Sequence, residues 1–316
     1  MKVAWLFPGQ GSQAVGMARD ILDASPAARA VFARADAALG LPISRLILEG
    51  PEADLTLTAN AQPALVTTST AILAALQERV PEVALPSFGA GHSLGEYSAL
   101  VAAGALTLED AVRVVRARGL AMQAAVPAGV GSMAAIMGVD PEQLEAICRE
   151  ATSSDGGAEV VSPANFNAPG QIVIAGHAAA VARACELASA AKGKAIPLKV
   201  SAPFHCALMA PAARVVEAEL GRVNVNVPRF PIVANFDAQP NADPARVKDL
   251  LVRQVDGAVR WEQAVRVMVE AGVTHALEIG PGKVIAGLCK RITKELTVLS
   301  VGDAAAVEQV RAFLAG

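Results

Sequence analysis

Gly91-His92-Ser93-Leu94-Gly95 lies between Pro86-Ser87-Phe88-Gly89-Ala90, which reads as a strand, and Glu96–Ala105, which reads as a helix. These five residues match G-x-S-x-G, the nucleophile elbow, in which a serine sits on a sharp strand-to-helix turn. Such a turn strains the backbone and calls for glycine wherever a Cβ would meet a neighbouring element. It lifts the serine hydroxyl out of the sheet to the N-terminus of the next helix, where unpaired amides and the positive end of the helix dipole favour an oxyanion. The pattern alone is weakly specific, and an ordinary Gly-rich turn is the bland alternative. The flanking strand and helix are what favour the elbow.

Working outward, Lys2–Phe7 reads as a strand running into Pro8-Gly9-Gln10-Gly11-Ser12-Gln13. That loop lacks the Lys-Ser/Thr of a P-loop and the spacing of a dinucleotide fingerprint, so no nucleotide cofactor is expected. Helices are predicted over Ala27–Leu39, from Pro63 to Arg79 with Asn60 as cap, and over Leu108–Val126 with Thr107 as cap. In the last of these, Leu108, Ala111, Val115, Met122 and Ala125 form one stripe, and Arg118 sits in its middle. A buried guanidinium keeps its proton and needs an acceptor opposite it. Snorkelling to an edge, or a structural pair with Glu96 or Glu278, remains open beside a role in binding substrate.

Beyond Pro127 the pattern changes. Ser132–Met137 reads as a strand, Pro141–Ala151 as a helix, Glu159–Ala164 and Gln171–Ala175 as strands, Ala178–Ala191 as a helix and Ala195–Val200 as a strand. This β-α-β-β-α-β order is that of a ferredoxin-like unit. Strands at Phe230–Asn235, His275–Ile279 and Thr297–Val301 then resume the larger unit. The expected fold is α/β: an α/β-hydrolase-like catalytic domain with a parallel sheet over residues 1–127 and 201–316, and an inserted ferredoxin-like subdomain over 128–200.

Serine is a weak nucleophile and needs a base within hydrogen-bond reach. Of four histidines, His92 adjoins Ser93 and is expected to point away across the turn, His177 starts a helix, and His275 enters a strand. His205 sits in Ser201-Ala202-Pro203-Phe204-His205, where the insert returns to the larger unit, and junctions of this kind form clefts. It is the preferred base. No Asp or Glu announces itself as a third member, which leaves a dyad or an unrecognised acid open. The amide of Leu94 follows from the elbow as one oxyanion donor, and the Gln10 loop is the best source of a second. The histidines form no compact ligand set, so no metal is expected.

Composition narrows the class. Hydrophobic residues make up 53% and charged residues 18% of the 316, with a net charge of −3, so nothing draws the chain as a whole to nucleic acid or a membrane surface. The uncharged runs 55–77 and 119–139 are broken by polar residues, Pro and Gly, and do not read as membrane spans. Four scattered cysteines and a first strand without a leader point to a reducing cytoplasm and no secretory signal.

These residues resemble the malonyl-CoA:acyl carrier protein transacylases of bacterial fatty-acid synthesis. The similarity covers nearly the whole chain. It rests on Phe7-Pro8-Gly9-Gln10-Gly11-Ser12-Gln13, Gly91-His92-Ser93-Leu94-Gly95-Glu96-Tyr97, Asn165-Phe166-Asn167-Ala168-Pro169-Gly170-Gln171, Phe204-His205, Leu251-Val252-Arg253-Gln254 and Glu278-Ile279-Gly280-Pro281-Gly282-Lys283. The resemblance implies that Ser93 carries the acyl group and that His205 is its base, oriented by the backbone carbonyl of Gln254 in place of an acid. It further implies that Arg118 binds the free carboxylate of malonyl, that amides of Gln10 and Leu94 form the oxyanion hole, and that Gln62, Asn165 and Asn167 line the site. Phe204 matches a position that is Ser in some members and Phe in malonyl-selecting polyketide acyltransferases; excluding an α-methyl branch and simple packing are both open roles.

The implied partners are malonyl-CoA and phosphopantetheinylated acyl carrier protein, with no cofactor and the chain a monomer. The carrier is acidic in this family, so a basic rim is expected at the cleft mouth, from Lys192, Lys194 and Lys199 or from Lys283, Lys290, Arg291 and Lys294. Rival readings are a serine thioesterase or esterase, a malonyltransferase serving polyketide modules or malonate decarboxylase, and a binding module that has kept the fold. Asp237–Asp243 looks longer than the family pattern and carries no assigned function.

Overall fold

The structure, a computed structural model, describes residues 1–153, 159–198, 200 and 202–315. In chain order its strands are β1 (Lys2–Phe7), β2 (Phe88–Gly91), β3 (Gly131–Met137), β4 (Val161–Ala168), β5 (Gln171–His177), β6 (Lys194–Pro197), β7 (Ile232–Val233), β8 (Pro240–Asn241), β9 (Val273–Ile279) and β10 (Thr297–Val301).

They form two sheets. The larger runs β10-β9-β1-β2-β7-β8, parallel throughout except for the antiparallel β7–β8 edge. Alternate side chains of β1 enter two different cores, because successive residues of a strand face opposite ways. Trp5 and Phe7 pack with the helices Thr58–Arg79, Gly95–Ala102 and Leu108–Ala124. Ala4 and Leu6 pack with Trp261, Met268 and Leu288 from the helices Trp261–Glu270 and Val284–Ile292. Both faces are therefore covered, as a parallel sheet requires.

The smaller sheet is antiparallel, in the order β4-β5-β3-β6, which gives the expected β-α-β-β-α-β unit. Ala134, Ile136, Ile172 and Ile174 meet the helices Pro141–Ser153 and Ala178–Ala190 on one face. Met133, Ala135, Val173 and Ala175 face the other way, against Phe204, Cys206 and Leu208 of the returning chain.

Several boundaries differ from the sequence reading. The helix through Pro63 starts at Thr58, and Leu57, not Asn60, occupies the cap position. Pro63 has no N–H for the carbonyl of Ala59, and Arg116 Nη1 donates to that oxygen instead, at 2.9 Å. β4 continues to Ala168 by pairing with β5, Phe166 opposite Ile172 and Ala168 opposite Gln171; Phe166 N also donates to Val259 O at 2.9 Å and Val259 N to Ala164 O at 2.8 Å, tying the small sheet to the large unit. β6 is shorter than read, ending at Pro197, and Lys199 and Ser201 lie outside the described residues. Short helices at Arg19–Ala24, Ile43–Glu49 and Glu52–Thr56 were not anticipated. The segment Asp237–Asp243 holds β8, and Asp243 caps the helix Pro244–Asp256. Among the described residues no helix is long and apolar enough to cross a membrane; run 55–77 lies mostly in a core helix, and run 119–139 is split between a helix end and β3.

Candidate active site

The loops after β1 and β2 leave the carboxyl ends of adjacent parallel strands, where open α/β sheets hold their ligands. Ser93 has φ 50°, in the left-handed region. The elbow closes so tightly that a Cβ on Gly91 would lie 1.9 Å from the carbonyl carbon of Gly95, and one on Gly95 would lie 2.2 Å from the oxygen of Phe7. Asn235, just beyond β7, braces the turn from below: its Oδ1 accepts from Ser93 N at 2.6 Å, and its Nδ2 donates to Gly91 O at 2.7 Å. Leu94 is the N-cap of the helix Gly95–Ala102, so its amide is left without a partner in the helix.

His205 reaches the elbow from the returning chain and also has a left-handed backbone, φ 60°. Its Nδ1 lies 2.8 Å from the main-chain oxygen of Gln254, which can only accept, so Nδ1 carries the proton and Nε2 is free to accept. Ser93 Oγ lies 2.7 Å from Nε2 and donates to it. Burial, and then the Arg118 guanidinium, hold the pKa of His205 down to about 3. The imidazole therefore rests neutral beside the hydroxyl, the form a general base needs.

Arg118 is 1% exposed, so it does not snorkel. Neither carboxylate considered as its structural partner makes an ion pair with it: Glu278 accepts from Ile285 N, Ala286 N and Ser300 Oγ, and Glu96 from Gln254 Nε2 and Asn235 N. The guanidinium instead donates to neutral oxygens. Nη1 reaches Gln62 Oε1 at 2.9 Å, and Nη2 reaches Gln254 Oε1 at 3.0 Å and Ser93 Oγ at 3.1 Å. Desolvation lowers its pKa, but an arginine keeps its proton even so. A positive charge thus stands beside the nucleophile, oriented by amides, with Glu96 acting on it only through space and not as a direct ion pair.

Gln10, Gln62, Ser93, Leu94, Arg118, Asn165, Phe204 and His205 line one cleft of about 420 Å³, roofed by Met133 of β3 and Val173 of β5. Asn167 is placed differently from the expectation: it does not line the cleft, and its Oδ1 lies 2.7 Å from His92 Nε2. Simple alternation would put Asn165 and Asn167 on the same face; the register of β4 shifts between Phe166 and Ala168, so Asn167 sits at an irregularity in the strand. His92, expected to point away across the turn, also lines the cleft, while its ring packs on Trp261 with centroids 5.7 Å apart. Among the described residues that line the cleft, Arg118 is the only arginine or lysine; of the expected basic rim, Lys192 and Lys194 are not in the lining, and Lys199 lies outside the described residues. Lys283, Lys290 and Lys294 line a separate groove along β10. Sequence reasoning missed Asn235 and the side chain of Gln254. An Asn at the end of the strand next to the elbow strand is the signal that points to the former.

The model of the acyl transferase domain family matches residues 4–311. A curated relative, the malonyl CoA-acyl carrier protein transacylase of Escherichia coli K12, is 46% identical over 305 residues, 96% of this chain and 97% of that one. The crystal structure of an acyl carrier protein S-malonyltransferase from Vibrio cholerae superposes with a TM-score of 0.94 at 45% identity, covering 98% of this chain and 100% of that one. A malonyl-transacylase in complex with a holo type II PKS acyl-carrier protein gives a TM-score of 0.93 at 44% identity, covering 98% of each chain.

Proposed function

The chain belongs to the acyl transferase domain family, together with the malonyl CoA-acyl carrier protein transacylases, and we propose that it transfers malonyl from malonyl-CoA to the phosphopantetheine thiol of an acyl carrier protein. One observation carries this reading: Ser93 Oγ stands between a neutral imidazole at 2.7 Å and a buried guanidinium that has no carboxylate partner. The first is the apparatus of acyl transfer, and the second suits a donor that brings its own carboxylate.

In the first half-reaction Ser93 Oγ attacks the thioester carbon as its proton passes to His205 Nε2. The carbonyl oxygen, now negative, is met by the amides of Gln10 and Leu94. The C–S bond breaks, coenzyme A leaves with the proton from His205, and malonyl remains as an ester on Ser93. In the second half-reaction the carrier thiol gives its proton to His205 and attacks the ester, and the proton returns to Ser93 as it departs. Gln254 O keeps the imidazole in the tautomer that both halves need. Arg118 pairs with the free carboxylate, Gln62 holds one arm of its fork, and Asn165 and Phe204 shape the wall around the acyl group.

Residues 1–127 and 201–316 would supply the catalytic unit and 128–200 the roof. A cytoplasmic monomer loading a fatty-acid carrier is the setting this reading favours. The complex of a relative with a type II PKS carrier makes a polyketide carrier the second reading.

Intact-protein mass after brief mixing with equimolar malonyl-CoA and acetyl-CoA tests the proposal. A malonyl adduct that is absent in Ser93→Ala and moves to added holo carrier is expected. Free acids accumulating while the carrier stays unloaded would replace transfer with hydrolysis.

A further inference from the structure

Glu96 is a buried carboxylate that the reaction above does not use. It lies on the first turn after the elbow, and its Oε2 accepts from two donors, Gln254 Nε2 and Asn235 N, each at 2.9 Å. Gln254 Nε2 also donates to the main-chain oxygen of Ser93 at 2.9 Å. Both hydrogens of that amide nitrogen are thereby assigned, and the amide oxygen is left facing Arg118 Nη2 at 3.0 Å. Turning the amide over would set its carbonyl against the oxygens of Glu96 and Ser93, acceptor against acceptor. It would also set its NH₂ against the guanidinium, donor against donor.

Resting on the transacylase reading, we propose that Glu96 is a positioning residue for donor choice: by accepting from the Gln254 side chain it fixes which way that amide faces, and so holds the Arg118 fork where the donor's free carboxylate meets it. Asn235 locks the same carboxylate oxygen while its own side chain holds the elbow, so nucleophile and guanidinium are registered against one buried atom. The role calls for an acceptor and not for a charge. Burial pushes Glu96 up to about 7, and Oε2 accepts equally when the proton sits on the other oxygen. Glutamine preserves that acceptor, whereas methionine, of similar length, does not.

The test measures single-turnover acylation by malonyl-CoA and by acetyl-CoA in wild type, Glu96→Gln, Glu96→Met, Gln254→Met and the Glu96→Met/Gln254→Met pair. Glu96→Gln is expected to keep the malonyl-to-acetyl ratio within about threefold, and Glu96→Met to lower it about tenfold, the worth of one hydrogen bond to a charged group. The loss falls on the malonyl donor; a purely structural defect lowers both donors together and leaves the ratio alone. In the Gln254→Met background, Glu96→Met should add less than about twofold, since contacts in one network are not additive. A ratio unchanged in Glu96→Met, one collapsed in Glu96→Gln, or full additivity in the pair overturns the role. Should Glu96→Met not fold, Gln254→Met decides by itself. Its malonyl-to-acetyl ratio is expected to fall about tenfold, whatever the change common to both donors; an unchanged ratio again overturns the proposal. A wild type with no Ser93-dependent adduct would instead overturn the transacylase reading, which keeps the two failures apart.

Discussion

Replacing Arg118 by alanine removes the positive charge that faces the nucleophile, and its effect on donor choice follows from the surroundings. The guanidinium is 1% exposed and donates only to neutral oxygens, so its charge is available to a bound carboxylate. Truncating one partner of a desolvated, hydrogen-bonded charge pair costs about 2–5 kcal/mol, because the other charge is left buried alone. At about 1.4 kcal/mol per decade, malonyl transfer should fall by roughly 30-fold to several thousandfold. Acetyl has no carboxylate to strand. It stands to gain slightly, because Arg118 is one of the groups holding the basicity of His205 down. The malonyl-to-acetyl ratio should therefore drop on the order of a hundredfold. Equimolar donors, rapid quench and the ratio of the two adduct masses measure it directly, and any loss of folded protein cancels in the ratio. A ratio within about threefold of wild type, a difference of only about 0.6 kcal/mol, would refute the assignment of Arg118 to the carboxylate.

Three other outcomes are expected. With the pKa of His205 at about 3 in place of the ordinary 6.5, the base is lost only as pH falls through the lower value, so acylation of the free enzyme should stay flat from about pH 7 to about pH 5. Arg118→Ala should move the acid limb upward, and a wild-type limb near 6.5 contradicts both statements. Gly91→Ala drives a Cβ to 1.9 Å from Gly95 and should cost about 3 kcal/mol or more, seen as a melting midpoint at least about 4 °C lower; wild-type melting would mean the elbow relaxes freely. Asn167→Ala leaves His92 Nε2 unpaired and should cost about 1–3 kcal/mol in urea unfolding without changing donor preference, and altered preference would place Asn167 in the cleft after all.

Much of this architecture was legible because local chemistry and tertiary need agree. Ser93 is marked by glycines that the closed turn demands, and β3 and β5 alternate so regularly that their two faces enter different cores. Arg118 stood out as a charge on an apolar stripe, yet periodicity could not choose among its partners, since Gln62 and Gln254 come from helices 56 residues before and 136 residues after it. The full length of β4 was hidden because its second half pairs with β5 in an irregular register and bridges to Val259 across units, which breaks the simple alternation a strand shows in sequence. Glu96 was visible only as a candidate ion-pair partner. Its actual neighbours, an amide side chain and a main-chain N–H, have no sequence signature.

The two amide oxygens flanking Arg118 also constrain how this site can diverge. A lineage adapting to uncharged acyl donors would have no use for the guanidinium, but a single exchange to an apolar residue strands Gln62 Oε1 and Gln254 Oε1 against a hydrocarbon wall. Gln254 cannot drift freely either, because its nitrogen is committed to Ser93 and Glu96. The path to a neutral-donor descendant therefore passes through changes at Gln62 or Gln254 that are unfavourable until Arg118 has gone. Such coupling predicts that these positions are replaced as a set, and that libraries randomising Arg118 alone will return few variants as stable as the parent.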